Sequence, residues 1–208
     1  MKWPWALAIA VILMGRAGRE AQAYTGGPVR AGVVGYEPKE HKVYYWMQGF
    51  DESGDPGRYY YILLDSLGSM KSVEAVSWGA REESDSLASE QKLARFKKRL
   101  LPLLALDASK VMVNVAVTKR DSNLNFQVPQ FELAVDVSSG ALHSSLELDA
   151  YCSTEVAVYS LYAIPERDEQ VGLMRYKGRV YYCEPVETPI LLRTTEAKRQ
   201  RLSKYEGP

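Results

Sequence analysis

The chain has 208 residues, with 26 Lys and Arg against 26 Asp and Glu, and 46% of its residues are hydrophobic. This composition excludes a disordered chain, a collagen-like repeat and a disulfide-dense miniprotein, and it is long enough for one domain with a core of useful size. A nucleic-acid partner is not expected, because binding one takes clustered Lys and Arg to displace counterions.

Lys2 gives a short positive start, Trp3 to Gly15 is an uncharged run, and Ala21-Gln22-Ala23 supplies an A-x-A cleavage pattern. A run of 13 residues at about 1.5 Å each cannot cross a hydrocarbon core of about 30 Å. Residues 1–23 are therefore predicted to be a signal peptide, with Tyr24 opening the mature chain. Its removal leaves 23 basic and 25 acidic groups. No later stretch is long and apolar enough to span a bilayer. The expectation is a secreted or periplasmic protein with no stable membrane insertion after cleavage.

Residues 24–193 read as a single β-rich domain and 194–208 as a flexible polar tail. Period-two alternation dominates the domain. Val43, Tyr45 and Met47 share one face of a strand, as do Val111, Val113, Val115 and Val117, and then Phe131, Leu133, Val135 and Val137. Turn residues separate these runs: Asp51 to Gly57, Lys119 to Asn123, Ser138-Ser139-Gly140, Ile164 to Asp168, and Lys177-Gly178 before a strand at Arg179–Cys183. The expected fold is mainly β, with antiparallel hairpins forming a sandwich or a twisted, blade-like meander.

One segment departs from that period. Over residues 85–101, Leu93, Phe96 and Leu100 recur at helical spacing. Asp85 or Ser86 can cap the start, and Pro102 forces an end near Leu101. This predicts one amphipathic helix laid on the sheet.

The unit Tyr36-Glu37-Pro38-Lys39-Glu40, followed by Val43-Tyr44-Tyr45 and Tyr60-Tyr61-Ile62-Leu63-Leu64-Asp65, resembles a propeller blade of the periplasmic TolB kind. It departs from that repeat at Glu37, Lys39 and Glu40, and it covers about one blade. Four blades would fill the mature chain and leave no room for the helix, so a sandwich or meander is expected over a complete propeller. More broadly, the chain resembles predicted secreted bacterial proteins of unknown function, which implies no activity.

Cys152 and Cys183 both fall in strand-like contexts of the mature chain. In an oxidising compartment they are expected to form a structural disulfide. C-x-x-C spacing is absent, so neither a redox nor a metal role is expected.

No catalytic set emerges. Ser89-Glu90-Gln91-Lys92 fits S-x-x-K, but no Lys-Thr-Gly accompanies it, and Asp121-Ser122-Asn123 has the wrong order for S-D-N. Asp51, Ser53 and Asp55 alternate like the first ligands of a calcium loop, yet Pro56 and Ile62 stand where such a loop needs Gly and Glu. The two histidines, His41 and His143, have no ligand-like spacing. Asp65, Asp136 and Glu147 could supply acids, but nothing in the sequence pairs them. No metal and no cofactor are expected.

The aromatic residues carry the most information. Tyr44, Trp46, Tyr59 and Tyr61 can fall opposite one another in one hairpin. They form either cross-strand packing or a platform for a glycan or a protein. The function expected is a noncatalytic extracytoplasmic binding or scaffold protein engaging another envelope protein. The alternative is a carbohydrate- or peptidoglycan-binding module built on these rings.

Overall fold

The computed structural model describes residues 27–49, 58–65, 73–77, 91, 94–123, 127–179, 183–194 and 200–201. Predictions for the signal peptide, the Asp51–Gly57 turn with its calcium-like pattern, the start of the helix, Ser89 and Lys92 of the S-x-x-K motif and the middle of the strand expected at Arg179–Cys183 lie outside these residues. The described chain is mainly β and forms two sheets.

The larger sheet has the order β4 (Val73–Ser77), β3 (Arg58–Leu63), β2 (Lys42–Gly49), β1 (Val29–Glu37), β11 (Pro185–Leu192), β10 (Gln170–Lys177), β9 (Val156–Ala163) and β5 (Leu104–Leu106). The smaller has the order β12 (Gln200–Arg201), β8 (Leu142–Tyr151), β7 (Val128–Ser139) and β6 (Met112–Asn123). Each neighbour is antiparallel except at two places, β1 beside β11 and β12 beside β8.

Alternation explains how the sheets meet. Phe131, Leu133, Val135 and Val137 of β7 point inward with Leu146, Leu148 and Ala150 of β8. They pack on Met174 and Tyr176 of β10 and on Val186, Ile190 and Leu192 of β11. This buried layer is the main core of a two-sheet sandwich. The other face of β10 and β11 carries the cross-strand pairs Val171–Leu191, Leu173–Pro189 and Arg175–Glu187.

The seam between β1 and β11 is unusual. Val29 pairs with Val186, and beyond that point the Ala31 amide donates to the Glu187 carboxylate at 3.0 Å instead of continuing the ladder. Pro189 follows in β11, where proline could offer no N–H to a neighbouring strand. β1 thus swings across the outer face, and Tyr36, Val43 and Leu64 close a second apolar cluster on Ile164 and Val171.

Glu187 holds this seam. It is buried, and it accepts bonds from Tyr159 Oη at 2.9 Å and from Arg175 at 2.6 and 3.1 Å. Tyr159 reaches it because β9 carries a bulge: Leu173 faces Ser160, Met174 faces Val158, and the extra residue between is re-aimed outward. The Arg175 guanidinium stacks 4.7 Å from the centroid of the Tyr159 ring. Burial alone would raise the Glu187 carboxyl, but the Ala31 amide, Arg175 and Tyr159 outweigh it and hold it below its usual range.

Two sequence expectations are corrected here. The turn predicted at Lys119–Asn123 is strand, because β6 bulges at Thr118 and then resumes pairing, Lys119 with Glu132 and Asp121 with Gln130. The bulge reverses the inside–outside alternation, which reads in sequence as an ending. The cysteines do not sit within strands. Cys152 follows β8 and Cys183 precedes β11, and both take left-handed backbone, with φ of 66° and 54°. Within residues 194–208, the described Gln200 and Arg201 form β12 and pair with Leu146 and Glu147.

Cys152 and Cys183 form a disulfide with Cα atoms 5.8 Å apart, joining the end of the small sheet to the approach to β11. Closing a loop of 31 residues stabilises by about 3–4 kcal/mol in the chain-entropy model. Replacing both cysteines by Ser is expected to cost about that much in urea unfolding, and reductant should have no further effect on the double variant.

Glu187→Ala is expected to cost about 2–4 kcal/mol, since the Ala31 amide and the Arg175 charge lose their shared acceptor. The lowered carboxyl also sets a direction with pH. Its stabilisation is complete above the unfolded value near 4.5 and is lost as the pH falls through the lower folded value. Unfolding free energy measured from pH 7 to pH 3 should drop more steeply for the native chain than for Glu187→Gln.

Candidate functional site

The β2–β3 hairpin pairs Tyr44 with Tyr61 and Trp46 with Tyr59, so all four candidate platform residues share one face. Their exposure differs from what a platform requires. Tyr44 and Tyr59 are each only 4% exposed, and Trp46 and Tyr61 are half-buried. The face is covered by the helical turn at residues 94–97 and the segment that follows it. The Phe96 ring meets Tyr44 edge-on at 4.4 Å, and Leu100 packs beside it. Cross-strand packing under a lid is the arrangement observed.

Part of the predicted helix is present. Lys98 N donates to Ala94 O at 3.3 Å, then Arg99 and Leu100 close tighter turns on Phe96 and Lys97. Leu101 is no longer helical. It forms a bridge with Tyr36, with N–H to O distances of 2.8 and 2.9 Å. The crossing is close because Gly35 lies beneath it: a Cβ there would come within 2.9 Å of the Leu101 oxygen. Gly32 similarly leaves space for the Trp46 indole.

Burial of the Tyr44 ring raises its hydroxyl, and the Glu37 carboxylate it donates to, 3.1 Å away, raises it further. Arg99 lies 3.6 Å from the other Glu37 oxygen. The covered face therefore contains a Tyr–Glu–Arg contact much like the one around Glu187. Neither was visible in sequence, because partners separated by 62 positions (Glu37 and Arg99) leave no spacing signal.

A second polar group lies where the β2–β3 hairpin meets the β9–β10 connection. His41 Nδ1 bonds Asp65, Arg167 reaches Asp65 at 3.4 Å, and Arg167 holds Glu169 through two bonds of 3.0 and 2.9 Å. The His41 bond is the main reason the Asp65 carboxyl is held low. These contacts tie three connections together: the β1–β2 turn, the chain after β3 and the β9–β10 turn. Among the described residues, no group of three or more His, Cys, Asp and Glu is arranged to hold a metal ion.

The remaining acids are elsewhere. Asp136 accepts from Ser145 at 2.6 Å on the outer face of the small sheet, and Glu147 lies on that face opposite Ala134. They are diagonal neighbours on an open sheet surface, at a typical separation of about 7–8 Å. Asp65 is on the other sheet. His143 bridges to Arg193 through backbone.

The sandwich also has an open side. β6 is the last strand of the small sheet and β5 the last of the large one, and the Ala108–Lys110 turn connects them. On this side Leu104 is 63% exposed, Met112 61% and Val117 49%, with Leu106 and Val115 also exposed. Sequence periodicity placed Val115 and Val117 on one shared face, and they pair with Val135 and Leu133 on the face of the small sheet that turns to the core. It carried no information on whether a facing strand would cover them.

Phe96→Ala is expected to cost about 3 kcal/mol in chemical unfolding, since it opens a cavity over Tyr44 and Tyr59. An exposed platform would predict no more than a few tenths of that. In comparisons with known proteins, no family model, no curated protein and no solved structure matches this chain.

Proposed function

We propose that this chain is a noncatalytic extracytoplasmic binding or scaffold protein that engages another envelope protein along the open β6 side of the sandwich. The carrying observation is that side itself. A 12-residue edge strand, β6, has a ladder neighbour along one edge only among the described residues, and it exposes Val115 and Val117 on its inner face and Met112 on its outer face. An edge strand with unmatched N–H and C=O groups and adjacent apolar side chains is suited to accept a further strand.

The compartment rests on the signal-peptide pattern of residues 1–23. The Cys152–Cys183 disulfide agrees with it. No helix among the described residues is long and apolar enough to cross a membrane. The carbohydrate-binding alternative has less support, because Tyr44 and Tyr59 contact Phe96 and not solvent.

A photo-crosslinking residue at Val117 tests this directly. Irradiation in envelope extract should give covalent protein adducts at position 117 and none from the same probe at Glu147, on the opposite face of the small sheet. Equal adducts at both positions, or none at 117, overturn the reading.

A further inference from the structure

We propose that the basic turn over the β2–β3 hairpin, with the exposed leucine that follows it, is a contact surface for a bilayer containing anionic phospholipid. This surface is separate from the β6 edge. Three observations carry the proposal.

The first is the run of charge. Between Glu90 and Asp107 the chain has no acidic residue, while Lys92, Arg95, Lys97, Lys98 and Arg99 are basic. Within residues 94–99 the buried side chain is Phe96, and Arg95, Lys97, Lys98 and Arg99 are all exposed. Phe96 pegs the turn against Tyr44 and Tyr59 and leaves the cations outside. Arg99 lies 3.6 Å from Glu37. Arg95, Lys97 and Lys98 have no acidic partner among the described residues. Water-facing surfaces usually mix the two signs, and like charges this close repel one another until an anionic surface meets them.

The second is where the turn lies. The layers run from the small sheet to β10 and β11, then to the hairpin, and end at the turn. The last face on the other side is the outer face of the small sheet, with Glu132, Asp136, Glu147 and Asp149. Glu132 and Asp149 stand directly opposite each other there. A chain whose formal charges balance therefore has a cationic pole and an acidic pole. A negatively charged surface attracts the first and repels the second, which selects one orientation.

The third is the apolar neighbour. Leu101 is 37% exposed directly after the cations, and Pro102 beside it is exposed. The backbone bridge to Tyr36 holds Leu101 in place. Cations next to an exposed leucine match the boundary of a bilayer. The charged groups stay in the hydrated phosphate layer while the leucine enters the edge of the acyl region. An acidic polypeptide would satisfy the cations and leave the leucine in water.

Co-sedimentation with vesicles tests this, using the mature, oxidised chain. It should bind phosphatidylcholine vesicles containing about one third phosphatidylglycerol, and not phosphatidylcholine alone. Binding should weaken steeply towards about 0.5 M salt. One cation near the headgroups is worth about fivefold in affinity, so Arg95→Gln, Lys97→Gln and Lys98→Gln combined should weaken binding about a hundredfold. The urea midpoint should not move, because Arg99 and its contact to Glu37 are kept. Lys119→Gln, on the acidic side, should change binding by no more than about twofold. An environment-sensitive dye on Leu101→Cys should brighten on the anionic vesicles, and the same dye on Glu147→Cys should not. Equal binding to both vesicles, a triple variant that binds like the native chain, or brightening at 147 and not at 101 overturns the proposal. So does a chain that binds immobilised poly-glutamate and neither vesicle, which would assign the cations to an acidic polypeptide. Photo-adducts at Val117 have no bearing on these outcomes, so the two surfaces stand or fall separately.

Discussion

The carboxylate of Glu187 is where the two halves of the molecule are joined. The β1–β11 ladder closes at Val29 and Val186 and then stops, so the first three strands have little backbone pairing to hold them to the rest. Glu187 substitutes a side-chain acceptor for the missing carbonyl. It binds the Ala31 amide on one side and Tyr159 and Arg175 on the other. A buried carboxylate is costly to leave half-satisfied, and this one is coordinated by groups from β1, β9 and β10 together. The β9 bulge, the proline in β11 and the departure of β1 are consequences of one local geometry. Each would be a defect alone; together they let the N-terminal strands fold over the outer face.

That geometry explains why the sheet can be long without being exposed. The inner face of β10 and β11 is covered by the small sheet, and the outer face by Tyr36, Val43 and Leu64. The outermost face of the β2–β3 hairpin is covered in turn by Phe96 and Leu100. Successive layers are closed by chain that precedes or follows in sequence. The disulfide then fixes the end of β8 beside the start of β11, so the small sheet is bound to the large one by a covalent link as well as by the core. Among the described residues, the side lined by β5 and β6 is apolar and open.

What could be read from sequence follows from this arrangement. β2 shows the two-residue period with both of its faces covered. β7 and the first half of β6 alternate cleanly because one face of the small sheet turns to the core and the other away from it, and their shared faces were legible. β11 was not, because Pro185, Glu187 and Pro189 break the pattern of a central strand, and their explanation lies in β1, some 150 residues earlier in the chain. The bulge at Thr118 shifts the period by one and so mimics a turn. The aromatic hairpin was legible as a shared face. Its exposure was not, because that depends on Phe96, which lies 52 positions from Tyr44. Polar clusters such as His41–Asp65–Arg167 are assembled from three connections and have no sequence signal at all.

The location of charge bears on function more than its amount. The outer face of the small sheet carries Glu132, Asp136, Glu147 and Asp149, and the segment over the hairpin carries Arg95, Lys97, Lys98 and Arg99. Surfaces with that density of charge are expensive to desolvate and suit contact with water. On β6 the order is reversed. The exposed positions before Thr118 are apolar or neutral, and ionisable groups resume where the strand bends away. A chain whose formal charges balance overall has placed none on the first half of β6, from Met112 to Thr118, and three in succession from Lys119 to Asp121. Since a bare apolar edge lowers solubility in proportion to its length, the absence of charge there is explained more simply by a covered edge than by a free one.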